Sequence, residues 1–296
     1  MASSNPLLQL GQLIEDAIKQ LHTVTDSPRL DCELLLCHIL KKDRSFLRAW
    51  PEHELNLQQV DVFQQLLTQR LQGTPVAHIL GERGFWTLNL KVTPDTLIPR
   101  PDTERLVELA LEIIPDKAKW NILDLGTGTG AIALSLAKEK PACHLTATDK
   151  SAAALKVAEE NAKRNNISNI HFVQSDWFLG LSDNINRAMS QFEMIVSNPP
   201  YIKESDPHLK QGDVCFDPIT ALTSGADGLD DIRTIIKTST EHLVKGGVLL
   251  IEHGYDQGNE VCELLKASNF TQVADFNDDN GNPRVATGYY NQMLIN

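Results

Sequence analysis

Residues 198 to 201 read Asn-Pro-Pro-Tyr and follow directly on the run Met194-Ile195-Val196-Ser197. Asn198 carries a side-chain carbonyl oxygen, and the main-chain carbonyl of Pro199 follows an imide nitrogen that has no hydrogen to offer. Two acceptors side by side suit an NH₂ group, one for each N–H. Tyr201 adds a flat face for a planar amide or base, and the prolines stiffen the loop so that neither acceptor wanders. Three clusters precede this one. Asp124-Leu125-Gly126-Thr127-Gly128-Thr129-Gly130 follows a strong apolar stretch, and its glycines let bare backbone come close to a ligand. With Ala131 it also fits G-x-G-x-x-A, a pattern that nicotinamide enzymes and methyltransferases share. Asp149 stands 23 positions after Gly126, where an acid can reach ribose hydroxyls. Asp176-Trp177 pairs a carboxylate able to accept an adenine amino group with an indole able to flank the ring.

Each cluster sits where a strand should end. The order reads as strand W-N-I-L-D-L, helix Gly130 to Lys138, strand H-L-T-A-T-D, helix Ala152 to Arg164, strand I-H-F-V-Q-S-D and strand F-E-M-I-V-S-N. A helix from Asp230 to Leu243, the strand G-V-L-L-I-E-H, a helix from Asn259 to Ala267 and the stretches T-Q-V-A-D-F and R-V-A-T-G-Y-Y complete the pattern. Such alternation predicts an α/β fold with a mostly parallel sheet covered on both faces. Ligands in such sheets lie beyond the carboxyl ends of the strands, so Asn198 should face the reactive part of a bound cofactor. Upstream, from Pro6 to about Leu71, apolar residues recur at helical spacing: Leu10, Leu13, Ile14, Ala17, Ile18 and Leu21, then Leu30, Leu34, Leu35 and Ile39, then Val60, Phe63, Leu66, Leu67 and Leu71. They predict a small helical bundle. Between Gly81 and Pro101 the period changes at Phe85, Trp86, Leu88, Leu90 and Val92, which predicts a β-hairpin.

N-P-P-Y after a fourth strand and D-L-G-T-G-T-G after the first resemble the class I S-adenosylmethionine-dependent methyltransferases that modify planar nitrogens. The resemblance implies a Rossmann-like sheet with an antiparallel C-terminal strand. It also assigns the cofactor, S-adenosyl-L-methionine, whose product is S-adenosyl-L-homocysteine. An amide or aromatic amino nitrogen is a poor nucleophile because its lone pair is delocalised, so positioning must replace basicity.

G-E-R-G-F-W at residues 81 to 86, T-L-I-P-R-P-D-T-E at 96 to 104, N-P-P-Y-I, and F-D-P-I-T-A-L-T-S-G-A-D-G-L at 216 to 229 together resemble the peptide chain release factor N5-glutamine methyltransferases. The resemblance implies methylation of the glutamine side-chain amide in the Gly-Gly-Gln motif of class I release factors, aiding translation termination. It implies a helical N-terminal domain for substrate recognition (residues 1–78), a hairpin linker (79–101) and a methyltransferase domain (102–296). Carried over by motif, Asp124, Gly126, Thr127, Gly128, Thr129, Gly130, Asp149, Asp176, Trp177 and Asn198 bind the cofactor. Asn198, Pro199, Pro200 and Tyr201 hold the glutamine, and the P-R-P-D-T-E segment, with Arg100 or Thr103, covers the pocket. Gly84 and Asp217 depart from the family pattern, which has Glu at both places; the departures bear on the linker and the substrate loop.

A DNA adenine N6-methyltransferase is the nearest rival, since N-P-P-Y can hold an exocyclic amino group as it holds an amide. The chain has 27 Lys and Arg against 39 Asp and Glu, a net charge of −12, and no dense basic stripe, which argues against a grip on nucleic acid. Cys32, Cys37, Cys143, Cys215 and Cys262 form no C-x-x-C pair and no metal-ligand spacing, so no metal is expected and a reduced, cytoplasmic setting is. The first residues lack a basic region ahead of an apolar run, and no window is long enough to span a membrane. His78 and His253 are expected to be hydrogen-bonded structural residues, and Phe85 and Trp86 to pack the hairpin on a domain.

Overall fold

A computed structural model of the chain describes residues 8–181 and 191–291. The chain divides into two compact units, Met1–Glu82 with Pro207–Phe216, and Arg83–Asp206 with Asp217–Asn296. The expected beginning of the helical region at Pro6 lies outside the described residues.

The first unit is built from α1 (Leu10–Leu21), α2 (Pro28–Leu40), α3 (Arg44–Ala49), α4 (Leu57–Leu71) and α5 (Val76–Leu80), with a two-stranded ladder of β1 (Leu8–Gln9) and β2 (Glu54–Leu55). Local chemistry sets the helix starts. The Asp43 carboxylate accepts the Phe46 N–H at 2.8 Å, Asn56 and Gln59 form a reciprocal capping box, and Pro28 opens α2. Along α1 the spacing holds: Leu10, Leu13, Ile14, Ala17 and Leu21 are all buried. Along α2 the buried face is instead Asp31, Cys32, Glu33, Leu35 and Leu36, while Leu30, Leu34 and Ile39 are half-buried. The acids turn inward because basic partners meet them. Arg44 Nε donates to Glu33 at 2.6 Å, and the buried Arg70 of α4 donates to Asp31 at 2.7 Å. Arg70 also donates to the carbonyls of Gly73 and Thr74 and pairs with Asp213 at 3.0 Å, which fastens the Pro207–Phe216 segment within this unit.

The second unit begins at Arg83, within the hairpin of β3 (Glu82–Phe85) and β4 (Leu88–Lys91), which turns at Trp86, whose φ is +53°. Phe85, Leu88 and Leu90 join the core, and Trp86 packs on it, donating from its indole to Glu139 at 3.0 Å. Then follow α6 (Glu104–Ile113), β5 (Asn121–Leu125), α7 (Ala131–Glu139), β6 (His144–Asp149), α8 (Ala152–Arg164), β7 (Ile170–Gln174), β8 (Phe192–Ser197), α9 (Asp230–His242), β9 (Leu243–Glu252), α10 (Gly258–Ala267), β10 (Phe270–Asn277) and β11 (Pro283–Tyr290). The seven strands β5 to β11 make one sheet in the order β10-β11-β9-β8-β5-β6-β7, parallel except for β11, which is antiparallel to both neighbours. Alternate residues feed two cores. Ile122, Met194, Val196 and Leu250 enter one with α6 and α7, while Leu123, Leu125, Ile195 and Ile251 enter the other with α9 and α10. A sheet apolar on both faces must be covered on both, which explains the helices on either side.

The chain runs outward from β5 to β6 and β7, then returns to place β8 on the other side of β5. This reversal leaves a crevice at the carboxyl ends of β5 and β8. In register Leu125 faces Ser197, so Gly126 and Asn198 leave the sheet side by side. No described helix is long and apolar enough to cross a membrane.

Candidate active site

The first wall of the crevice is the glycine turn. Gly126, Gly128 and Gly130 have φ of +72°, +56° and +85°, backbone that L side chains rarely adopt. A Cβ at Gly126 would lie 3.3 Å from the Trp177 ring, and one at Gly130 would lie 2.8 Å from Leu134, whereas one at Gly128 would meet no protein atom within 4 Å. The outer turn is thus bare on its open side, the shape a ligand cradle requires. Asp124 is fully buried and braces the turn, its Oδ2 accepting from the Thr127 hydroxyl at 2.6 Å and from Ala133 N–H at 3.3 Å. Its Oδ1 is buried without a hydrogen-bond partner among the described residues. Burial pushes its carboxyl up to about 7, against the pull of the Thr127 and Ala133 hydrogen bonds.

Asp149 ends β6 and grips the same turn. Its Oδ2 accepts Gly128 N–H at 2.9 Å and its Oδ1 accepts Ser151 N–H at 2.8 Å. Each oxygen keeps a lone pair for a hydroxyl. Burial raises its pKa, and the backbone N–H groups of Ser151 and Gly128 oppose the rise. Past β7, Asp176 pairs with Lys150 at 2.7 Å, and the Trp177 indole donates to Asp231 at 3.0 Å with its ring against Gly126. Thr127 and Thr129 are buried within the turn.

At the end of β8, Pro199 is buried while Asn198, Pro200 and Tyr201 are half-buried. Asn198 Nδ2 donates to the Thr103 hydroxyl oxygen at 3.0 Å, which leaves Oδ1 as the end of the amide open to a ligand. The Tyr201 carbonyl accepts from Gln257 Nε2 at 3.0 Å, and its phenol donates to Glu252 at 3.2 Å. Arg100 pairs with the buried Asp217, which also accepts Ile98 N–H at 3.0 Å, so this departure from the family pattern pins the segment leading to Thr103. His253 is buried, with its ring nitrogens on Asp275 at 3.0 Å and the Gly254 carbonyl at 2.9 Å. A separate cavity of about 610 Å³, lined by Lys203, Asp227, Arg233, Asp256 and Gln257, takes in none of the sequence-predicted residues.

Residues 12–81 match the PrmC N-terminal domain model, and residues 105–216 match the Methyltransferase small domain model. The Release factor glutamine methyltransferase of Escherichia coli (strain K12) is 48% identical over 279 residues, covering 94% of this chain and 98% of the relative. That of Vibrio cholerae is 49% identical over 269 residues, covering 90% and 91%. The chain belongs to the release factor glutamine methyltransferase family. Likeness of fold reaches further. A methyltransferase from Pyrococcus furiosus superposes with a TM-score of 0.53 at 18% identity, covering 78% of this chain and 100% of that one. The N-terminal domain of human METTL16, solved in complex with SAH, gives 0.55 at 16% identity, covering 88% and 95%. Within this release factor glutamine methyltransferase family member, the sequence-predicted residues gather at three strand ends and the reversal point. The motifs do not reveal Glu252 and Gln257, which hold Tyr201, Asp231, which holds Trp177, or Arg284, which donates to the His253 carbonyl. The signal for Glu252 is an acid closing an otherwise apolar strand, G-V-L-L-I-E.

Proposed function

We propose that this chain transfers a methyl group from S-adenosyl-L-methionine to the side-chain amide nitrogen (N5) of the glutamine in the Gly-Gly-Gln motif of class I peptide chain release factors. The observation that carries the reading is the amide of Asn198, held at Nδ2 by Thr103 and open at Oδ1, beside the glycine turn where β5 and β8 part. The bare turn, the two acids at its edges and the Trp177 ring fit a nucleoside cofactor. S-adenosyl-L-methionine supplies an electrophilic methyl on a sulfonium sulfur.

The chain's own residues supply the rest. Gly126 to Gly130 admit the cofactor against main chain, Asp149 takes the ribose hydroxyls, and Asp176 and Trp177 frame the adenine. Asp124 shapes the turn and keeps Oδ1 for the cofactor's amino acid end. Asn198 Oδ1 and the Pro199 carbonyl accept the two N–H groups of the glutamine amide, and Tyr201 gives its plane a surface. Held this way, the amide nitrogen would face the methyl that a bound S-adenosyl-L-methionine would supply, with Asn198 Oδ1 and the Pro199 carbonyl keeping it aligned and the proton it sheds passing to water. Orientation of this kind can supply several powers of ten in rate.

The helical unit recognises the release factor's body, since a tripeptide is too small to specify a protein. Such a substrate sets the work in the cytoplasm, away from membrane and nucleic acid. Tritiated S-adenosyl-L-methionine offered to a release factor and to DNA tests the reading: label is expected in the protein, and label in DNA alone overturns it.

A further inference from the structure

Behind the Asn198 amide lies a buried acid with no assigned part in the reaction. Glu252, the last residue of β9, is 1% exposed. Its Oε1 accepts the Tyr201 phenol at 3.2 Å, and its Oε2 is buried without a hydrogen-bond partner among the described residues. The Thr103 hydroxyl stands beside it, close enough to favour the charged carboxylate. That same hydroxyl oxygen receives the Asn198 Nδ2 hydrogen bond at 3.0 Å. Tyr201, one end of the N-P-P-Y loop, thus bonds this carboxylate directly, and Asn198, the other end, bonds the threonine whose hydroxyl favours its charged form.

The polarity of these bonds decides how the amide points. A hydroxyl has one hydrogen, and an ionised carboxylate only accepts. With Glu252 charged, Thr103 turns its hydrogen toward the acid and must accept from Asn198, so the NH₂ of Asn198 faces inward and Oδ1 faces outward. With Glu252 neutral, its own O–H can donate to Thr103. The threonine hydrogen is then free to turn to Asn198, whose amide flips and presents NH₂ to an incoming NH₂, donor against donor.

We infer that Glu252 is a positioning residue: through Thr103 it fixes which end of the Asn198 amide meets the substrate nitrogen, and through the phenol it fixes the Tyr201 ring beside it. The inference rests on the reading that Asn198 accepts an N–H of the substrate amide. Burial pushes the Glu252 carboxyl up to about 7, and the Thr103 hydroxyl, Arg284 and the Tyr201 phenol pull it back while Asp102 adds to the rise. The groups facing it are Asp102 and Thr103 from the turn before α6, Tyr201 from the loop after β8, and Arg284 from β11. Arg284 is itself committed to Asp278 at 3.2 Å, to the His253 carbonyl at 3.3 Å and to Asp102 at 3.6 Å. Burial also raises the Tyr201 phenol, which keeps its proton and stays a donor. The orientation switch thus falls close to neutral pH.

The test is release factor methylation by the full chain, followed across the window on either side of about pH 7, for the parent, Glu252→Gln, Thr103→Val and Thr103→Ser. The parent kcat should fall on the acid side. Glu252→Gln should lower kcat roughly tenfold or more and lose that acid limb, with S-adenosyl-L-homocysteine affinity within about twofold of the parent. Thr103→Val should show the same loss, and Thr103→Ser, which keeps the hydroxyl, should restore it. A Glu252→Gln enzyme with the parent's kcat and acid limb, or equal activity in Thr103→Val and Thr103→Ser, overturns the inference. The threonine pair decides the matter if the glutamine variant does not fold. A parent inactive on the release factor at every pH refutes the methylation reading itself, a different result from an active parent with unaltered variants.

Discussion

Asn198 and Thr103 lie 95 positions apart in the chain and are joined by a hydrogen bond of 3.0 Å, from the amide of one to the hydroxyl of the other. The bond places the loop after β8 against the turn before α6 and leaves the amide oxygen as an acceptor. Asn198→Ala removes that acceptor, and kcat on the release factor should drop about 10²- to 10³-fold, the size seen when one aimed hydrogen-bonding group is removed from a reaction centre. Cofactor affinity should fall much less. Steady-state kinetics beside calorimetry with S-adenosyl-L-homocysteine separates the two; equal losses would place Asn198 in cofactor binding alone.

Gly128 gives a second prediction, because its surroundings inside the protein are empty. An alanine there meets no protein atom within 4 Å and carries only the strain of φ +56°, about 1–2 kcal/mol. If the open space its methyl group enters is the proposed cradle, S-adenosyl-L-homocysteine should bind at least about tenfold more weakly, a loss beyond what that strain explains. Unchanged affinity in titration calorimetry would remove the glycine turn from the cofactor site.

The buried acids predict how stability follows pH. Asp124 and Glu252 are raised from 3.8 and 4.5 to about 7 by burial. The folded chain therefore holds protons that the unfolded chain has released. The stability they contribute is complete below about pH 4 and is lost as pH rises through about 7. Denaturant unfolding at about pH 5 and about pH 8 should show this loss in the parent and a smaller one in Asp124→Asn. An identical pH dependence in both would contradict a buried, largely protonated Asp124 at the acid end.

Arg70 predicts stability in the other unit. Its side chain is 4% exposed and serves Asp31, Asp213 and two carbonyls. Arg70→Met strands two carboxylates, one of them buried, and should cost about 3–5 kcal/mol. Limited proteolysis should then cut first within Pro207–Phe216, which Asp213 ties to Arg70. A variant as stable and as resistant as the parent would show the cluster to be dispensable.

Much of this fold is legible in the sequence, for physical reasons. Strands β5, β8 and β9 stand out because a sheet buried on both faces needs apolar runs, and Gly126, Asn198-Pro199 and Glu252 break those runs sharply. N-P-P-Y and the glycine turn are legible because their chemistry lies in four to seven consecutive residues. Glu252 and Arg284 are another matter. Glu252 meets the Tyr201 phenol only through the sheet order, which puts β9 beside β8, and Arg284 comes near through β11 beside β9. Helix α6 hides behind the prolines of T-L-I-P-R-P-D-T-E, and the inward face of α2 hides because Asp31 and Glu33 are buried against arginines from elsewhere in the chain. The strap at Pro207–Phe216 follows N-P-P-Y in sequence yet belongs to the helical unit, a placement that Arg70 and Asp213 create and periodicity cannot register.

The most direct test of the central claim is a mass spectrum of the release factor peptide that carries Gly-Gly-Gln, taken before and after incubation of the intact factor with this chain and S-adenosyl-L-methionine. A gain of one methyl group, CH₂ in net mass, is expected, with fragment ions placing it on the glutamine side chain. An unmodified glutamine, or a methyl group on any other residue, would contradict it.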